Sequence, residues 1–460
     1  MPVRIAFATA CVLAAATLPP AALAEEGGLV RVLGEPMVLH SNIREQWGIH
    51  TYAYILTGED HLYWSAEAYS DERKPHELLV GQSPLRPGSG VDSKVWRLRL
   101  DDPTVDTITV PQMIRTPDGH IHVFLCVNYK LPGRSMHLGT IRYYRTSTPG
   151  DVTTLVDRSD RIPVVKPYDN FHTRTNVGVT RDGKRLALVI LAISEDGTVP
   201  FNTPVIFFGS RETDDGGLGE DFVFQEPIKY AEPMDFFYPQ VAATPDGVVI
   251  VGQYGHKVGE RTRHTTRLVH VGWDGKQKFS ADLPADESDG NYWCFDLHPL
   301  ELSDWSKLVL CHNKYSHTSD EATGHEFWLY DAPTHALTLR RTIQASRGLM
   351  GYGKWTPISE NASAFLNGVW GTGKHDIYSW EGDLLGEGDI SGSPLTGAAA
   401  EDLGYARRAG LCIAHPLQGS VMSSDEVYVA SDLQNEGDGV KSHSFVAWRL
   451  GLGRVGASDE

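Results

Sequence analysis

Cysteine is scarce, with five residues in a chain of 460. Cys11 stands in an N-terminal apolar stretch, which leaves Cys126, Cys294, Cys311 and Cys412 for the rest of the chain. Four are too few for a disulfide scaffold, and none shows the close paired spacing of a zinc site. Cys294 and Cys311 flank an expected hairpin and are the first pair to test as a bridge, with buried free thiols as the alternative. Positive charge is also short: 41 Lys and Arg face 59 Asp and Glu, for a net charge of −18. With no run of basic residues, a nucleic-acid partner is excluded, since binding a phosphate backbone needs a broad cationic surface. No glycine-rich loop follows a strand and opens a helix, so nucleotide chemistry is not expected and no cofactor is required. Almost nothing in the chain has a helical period.

Long hydrophobic runs are missing as well. Residues 1–24 read as a cleavable signal peptide: Arg4, an apolar stretch from Ile5 to Ala16, and the small-residue site Ala22-Leu23-Ala24 before Glu25-Glu26. Pro19-Pro20 interrupt that stretch, which is too short for a membrane anchor, and no later segment is long enough to span a bilayer. The expectation is a secreted or periplasmic protein, residues 25–460 forming a single domain, with a monomer as the expected state.

What the chain does have is repetition. Tyr238-Pro239-Gln240-Val241 to Asp246-Gly247 parallels Pro111-Gln112 to Asp118-Gly119 and Arg174-Thr175-Asn176 to Asp182-Gly183. The Asp-Gly pairs fall at 118, 182 and 246, a constant interval of 64 residues, and an apolar run follows each. Weaker copies surround Gly58-Glu59-Asp60, Ser303-Asp304, Glu360-Asn361 and Ser424-Asp425, which makes seven. Repeats of this length, built of strand patterns and turn residues, predict an all-β, seven-bladed β-propeller. The Thr-Pro-Asp-Gly segments are then tight turns, proline setting φ and glycine accepting a positive one.

That geometry sorts residues onto two faces. The starts of innermost strands and the ends of second strands share one mouth; the tight turns share the other face. The strand starts supply His50 and Tyr52, Gln112, His172 with Arg174 and Asn176, Tyr238 with Gln240, Trp293, Lys354 and His415. The second-strand ends supply Glu67, Asn128 with Tyr129 and Lys130, Tyr254 with His256 and Lys257, and His312 with Asn313, Lys314 and Tyr315. An acidic chain that gathers His, Arg, Lys, Tyr and amides at one opening points to an anionic polysaccharide or oligosaccharide. His120 and His122 adjoin a turn and receive no role; His264, His270, His325 and His335 read as surface histidines. His312 and His317 lack a third ligand, so no metal centre is assigned. Asp214-Asp215-Gly216-Gly217 offers oxygen ligands for a structural Ca2+ but fits no standard calcium loop.

The chemistry such a mouth supports is β-elimination at a uronate. Neutralising the C6 carboxylate acidifies the C5 proton, which a His or Tyr can remove while an acid protonates the leaving oxygen. Arg174 would neutralise, His172 would be the base, and Tyr238 or His256 the acid. With Asp169-Asn170-Phe171-His172-Thr173-Arg174-Thr175-Asn176, Tyr238-Pro239-Gln240-Val241 and Gly252-Gln253-Tyr254-Gly255-His256, the chain resembles the BNR-repeat-like propellers. That group includes ulvan lyases and enzymes that release L-rhamnose from glucuronate on arabinogalactan or gum arabic. The resemblance implies a His, at times with Tyr, as acid and base and an Arg against the carboxylate, roles that fall by position on His172, Tyr238 and Arg174. It departs from the group in having no His at the Gln112 strand start and no Ser-x-Asp-x-Gly-x-Thr-Trp box. Two alternatives stay open. A rhamnosidase-like hydrolase would use two carboxylates among Asp169, Asp235, Asp289 and Glu67. A non-catalytic glycan-binding propeller would use Trp64, Trp293, Trp355 and Trp370 as platforms. Inserts Glu212 to Asp221 and Ala285 to Gly290 would favour exo action if they wall the mouth.

Overall fold

The computed structural model of the chain describes residues 30–32, 37–44, 54–58, 60–68, 77–85, 93–100, 102–108, 111–130, 138–163, 176–192, 203–229, 239–258, 261–283, 290–301, 304–316, 322–344, 355–357, 364–368, 374–379, 383–389, 406–413, 426–435 and 442–452. Among them are strands and two 3-10 turns, Val152–Thr154 and Ser159–Arg161, and no α-helix.

The strands form seven antiparallel sheets, each a meander of chain neighbours, as short connections between successive strands require. The first holds β3 (Tyr54–Thr57), β4 (His61–Ala68), β5 (Glu77–Pro84) and β6 (Lys94–Arg99). The second runs β8 (Gln112–Arg115), β9 (Ile121–Tyr129), β10 (Leu138–Thr146) and β11 (Leu155–Asp157), with β7 (Val105–Ile108) added to β9. The third runs β12 (Asn176–Val179), β13 (Arg185–Ala192), β14 (Thr203–Glu212) and β15 (Leu218–Phe224), with β16 (Ile228–Lys229) beside β14. The fourth is β17 (Gln240–Thr244), β18 (Gly247–Val258), β19 (Arg261–Gly272) and β20 (Gln277–Asp282). The fifth is β21 (Gly290–Glu301), β22 (Asp304–Ser316), β23 (Ala322–Asp331) and β24 (Ala336–Gln344). The sixth is β25 (Trp355–Pro357), β26 (Ala364–Gly368), β27 (Lys374–Ser379) and β28 (Leu384–Asp389).

The seventh sheet joins the two ends of the chain. It takes β29 (Ala406–Ile413), β30 (Glu426–Asn435) and β31 (Ser442–Leu452) from the C-terminal part, and β1 (Val30–Val32) and β2 (Met37–Arg44) from the N-terminal part, both paired with β31. Innermost strands touch in chain order, β3 with β8, β8 with β12, β12 with β17, β17 with β21 and β21 with β25, and β29 returns to β3. The fold is an all-β propeller, closed by pairing rather than by an exposed sheet edge.

Period-2 alternation holds the ring together. In β13, Leu186, Leu188 and Ile190 face the second blade, packing with Ile114, Phe124 and Tyr143, while Ala187, Val189 and Leu191 face the fourth, packing with Val248, Ile250 and Val269. Both faces of the strand are therefore buried, which explains its continuous apolar sequence. Each buried leucine, isoleucine or valine among them contributes about 1.5–3 kcal/mol relative to exposure.

The turns follow the repeat. Thr116, Thr180 and Thr244 each donate Oγ1 to the aspartate two residues on, at 2.6, 2.7 and 3.0 Å for Asp118, Asp182 and Asp246. Gly119 and Gly183 take φ of 85° and 67°, as the turn requires. Gly247 differs: it pairs with Thr244 inside the ladder, and a Cβ there would lie 2.3 Å from the Val271 carbonyl oxygen. The third glycine serves close approach rather than positive φ.

Several expectations are corrected. Cys311 is buried and in no disulfide, and Cys294 registers with Asn313 rather than with Cys311, so of the two alternatives for this pair the bridge is not formed. His270 and His325 are 0% and 1% exposed, not surface residues. Residues 212–221 are the end of β14, the turn that follows and the start of β15, at the turn face where Arg211 reaches Asp118, so that insert cannot wall the mouth. Trp64 is fully buried, its indole donating to Ser83 Oγ at 3.0 Å, and cannot serve as a binding platform.

Candidate functional site at one mouth of the ring

Gln112, Asn176 and Gln240 are the first residues of β8, β12 and β17, the innermost strands of three successive blades. They stand 64 residues apart, so the interval that fixes the turns also fixes a carboxamide at the opposite end of each strand. Antiparallel pairing brings the far ends of β9, β18 and β22 to that same edge. In β18, Tyr254 and His256 lie beyond the Gln240–Val251 pair, opposite Thr265 and Arg263 of β19; Trp293 lies within β21.

Exposure separates these positions. Gln112 and Gln240 are half-buried, whereas Asn176 is 8% and Asn128 3% exposed, and Asn128 Oδ1 accepts from the Cys126 thiol at 3.7 Å. Tyr129 accepts from Arg142 at 3.3 Å. His312, expected at the mouth, is fully buried within β22. Its Nε2 meets Thr266 Oγ1 of the fourth blade at 2.8 Å and its Nδ1 lies 3.6 Å from Glu326, so it ties two blades together instead of meeting ligand. The innermost strand of the seventh sheet is Ala406–Ile413, so His415 follows that strand rather than starting it, and lies outside the described residues. His50, His172, Arg174, Tyr238 and Lys354 also lie outside the described residues.

The turn face carries polar structure that the sequence reading passed over. His122 is fully buried: Nε2 meets Thr116 Oγ1 at 3.1 Å, and Nδ1 meets the Tyr143 hydroxyl at 2.8 Å, which also accepts from the Phe222 backbone N–H of the third blade at 3.2 Å. Burial, reinforced by Arg211 and Arg145, holds the His122 imidazole well below its ordinary value. Arg145, 1% exposed, binds Asp221 at 2.6 Å and Glu220 at 2.7 Å, while the buried Arg211 binds Asp118. Burial pulls the Asp118 carboxyl up, but hydrogen bonds from Thr116 and Arg211 outweigh it and hold it at about 2. The one signal for this network was the Thr-x-Asp recurring every 64 residues; its arginines occupy outer strands, where the repeat is weak.

A cleft of about 630 Å3 also opens on the turn face, between the Thr180–Arg185 turn, Glu212, Pro245 and Trp305. Its charges answer one another, Arg185 to Glu212 at 2.9 Å and Lys184 to Asp182 at 3.9 Å. Among the described residues no group of three or more His, Cys, Asp or Glu is placed to hold a metal; in the Asp214–Gly217 loop, Asp215 accepts from Thr213 and Gly217.

No protein family and no curated protein matches the sequence. Solved structures are similar to the chain at low identity. A protein of unknown function from Dyadobacter fermentans is 12% identical over 92% of this chain and 100% of its own, with a TM-score of 0.44. The β-propeller domain of the Trilobed protease from Pyrococcus furiosus is 10% identical over 88% and 97%, with a TM-score of 0.43. The GH93 α-L-arabinofuranosidase of Fusarium graminearum is 10% identical over 75% and 94%, with a TM-score of 0.42. No helix among the described residues is long and apolar enough to cross a membrane.

Proposed function

We propose that this chain is an exported, carbohydrate-active propeller whose mouth cleaves a glycosidic bond to a uronate by β-elimination. The observation that supports the reading is the residue content around the innermost strand starts. Arg174 and Tyr238 precede Asn176 and Gln240 by two residues each, so they hold the same place in adjacent repeats, and His172 stands two residues before Arg174. In this reaction Arg174 pairs with the C6 carboxylate and lowers the cost of charge at C5. His172 takes the C5 proton, the electron pair forms the C4–C5 double bond, and the C4–O bond breaks. Tyr238 or His256 gives its proton to the departing oxygen. Half-buried Gln112 and Gln240 supply donors and acceptors for sugar hydroxyls.

The test is absorbance near 235 nm during incubation with ulvan, gum arabic, glucuronan, pectin, alginate and glycosaminoglycans, because only elimination creates the unsaturated uronate. A rise with one polymer, lost by about 100-fold or more in His172→Ala while binding persists, is the expected result. New reducing ends without absorbance would overturn elimination and shift the chemistry to carboxylates such as Asp169 and Asp235.

A further inference from the structure

The turn face carries two adjoining hollows, at the end of the strands opposite the mouth. The cleft of about 630 Å3 runs from the Thr180–Arg185 turn of the third blade to Trp305 of the fifth. A second, of about 570 Å3, lies between β14 and the β19–β20 turn, with Phe208, Gln225 and Trp273 in its walls. Arg185, Glu212 and Pro245 line both, so the two meet along one shared wall. Each volume falls within the range of about 300–1,000 Å3 that small-ligand sites occupy.

The shared wall offers donors and acceptors side by side. Arg185 gives its Nε and Nη2 hydrogens to the same oxygen, Glu212 Oε2, at 3.1 and 2.9 Å. Among the described residues no partner takes Arg185 Nη1 or Glu212 Oε1, which leaves a donor and an acceptor next to each other on a fixed pair. Gln225 adds an exposed carboxamide, its backbone N–H being given to the Phe208 carbonyl at 2.9 Å. Ser210 Oγ accepts from the Glu212 backbone N–H at 3.0 Å and keeps its own hydroxyl hydrogen to give. The apolar part of the lining is held in place. Trp273 donates its indole N–H to the Thr244 carbonyl at 3.3 Å and packs edge-on to Phe208, with ring centroids 5.5 Å apart, so its ring is fixed and presents apolar surface rather than a donor. Pro245 and the largely buried Trp305 continue that surface into the larger hollow.

Charge sets the class of ligand. Each carboxylate in these walls has its own cation: Asp182 has Lys184 at 3.9 Å, Glu212 has Arg185 at 2.9 Å, Asp246 has Lys278 at 2.6 Å and Asp274 has Lys276 at 3.4 Å. A charged ligand that took one member of a pair would leave the other uncompensated. A neutral ligand need break none. Hydroxyl groups both give and accept, which matches Arg185 Nη1 with Glu212 Oε1, the Gln225 amide and the Ser210 hydroxyl, while apolar C–H faces match Trp273 and Pro245. A sugar ring has both.

We propose that the turn-face hollows between the third, fourth and fifth blades form a binding site for a neutral oligosaccharide. The Arg185–Glu212 pair, Gln225 and Ser210 hold its hydroxyls, and Trp273 and Pro245 meet its ring faces. The site lies apart from the mouth, binds without cleaving, and does not rest on elimination taking place there.

Isothermal titration calorimetry of the full chain tests this, with cellohexaose, mannohexaose, xylohexaose, galactohexaose and maltohexaose as neutral probes and hexagalacturonate as the charged comparison. At least one neutral hexaose is expected to bind with a Kd of about 1 mM or tighter, equally at low and high salt, because no net charge draws it in. Glu212→Ala is expected to weaken that binding about tenfold or more, and Gln225→Ala about threefold or more. Both side chains are exposed, so both variants should melt with the wild type, and a fall in affinity then belongs to the site and not to the fold. No binding of any neutral hexaose, a preference for hexagalacturonate, or unchanged affinity in both variants would overturn the proposal.

Discussion

Asp221 and Glu220 bind the same guanidinium at nearly the same distance, yet removing their charges should have very different costs. Arg145 is 1% exposed and meets Asp221 at 2.6 Å and Glu220 at 2.7 Å; the Asp221 side chain is 14% exposed and that of Glu220 70%. Asp221 also lies 3.3 Å from Arg158 and 3.9 Å from Arg161, so it is the one shielded anion facing three cations. Asp221→Asn keeps an acceptor but leaves Arg145 charged and desolvated, and breaking a buried pair in this way costs about 3–5 kcal/mol. Glu220→Gln removes a charge that water already screens, which costs about 0–1 kcal/mol. Urea unfolding followed by tryptophan fluorescence would measure both, with unchanged denaturant slopes as the check that only stability moved. Similar losses for the two variants, or a larger one for Glu220→Gln, would refute the claim that burial rather than distance sets the strength of these pairs.

Gly247→Ala should destabilise by about 1–3 kcal/mol through overpacking, because the new methyl would meet the Val271 carbonyl at 2.3 Å, whereas Gly216→Ala, whose Cβ would meet nothing within 4 Å, should lose only about 1 kcal/mol to its φ of 81°; thermal melts compare them. Alkylation without reductant should leave Cys126 and Cys311 unmodified in the native protein and label both in denaturant, and failure of Cys311 to label when unfolded would restore a disulfide. His312→Leu should lower stability without changing ligand affinity, as calorimetric titration can show, because its Nε2 meets Thr266 and not the mouth.

Much of the architecture was legible because the repeat is local. Thr116, Asp118 and Gly119 recur at 180, 182 and 183 and at 244, 246 and 247, and the hydrogen bonds those residues make close the same turns. The apolar run after Asp182-Gly183, which forms β13, was legible for the same reason: a hydrophobic run bounded by turn residues is a property of adjacent residues. The interval that places the turns also placed Gln112, Asn176 and Gln240 at strand starts, so the edge they share was readable from spacing.

What lay beyond the sequence was which partner each polar group would meet. His270 gave no sign that Thr244, 26 residues earlier, and Tyr330, 60 residues later, would close on its two nitrogens. Asp118 and Arg211 are 93 residues apart and meet because blades two and three pack side by side. Cys294 and Cys311 were near in sequence yet did not bridge, since antiparallel register set Cys294 against Asn313. A spacing rule sees only the order of residues along a strand, and that order determined the strands, the turns and the ring. Contacts between blades depend on how separate sheets stack, so only the tertiary structure decided that His270 and His312 would be fasteners between blades rather than surface or ligand-facing side chains.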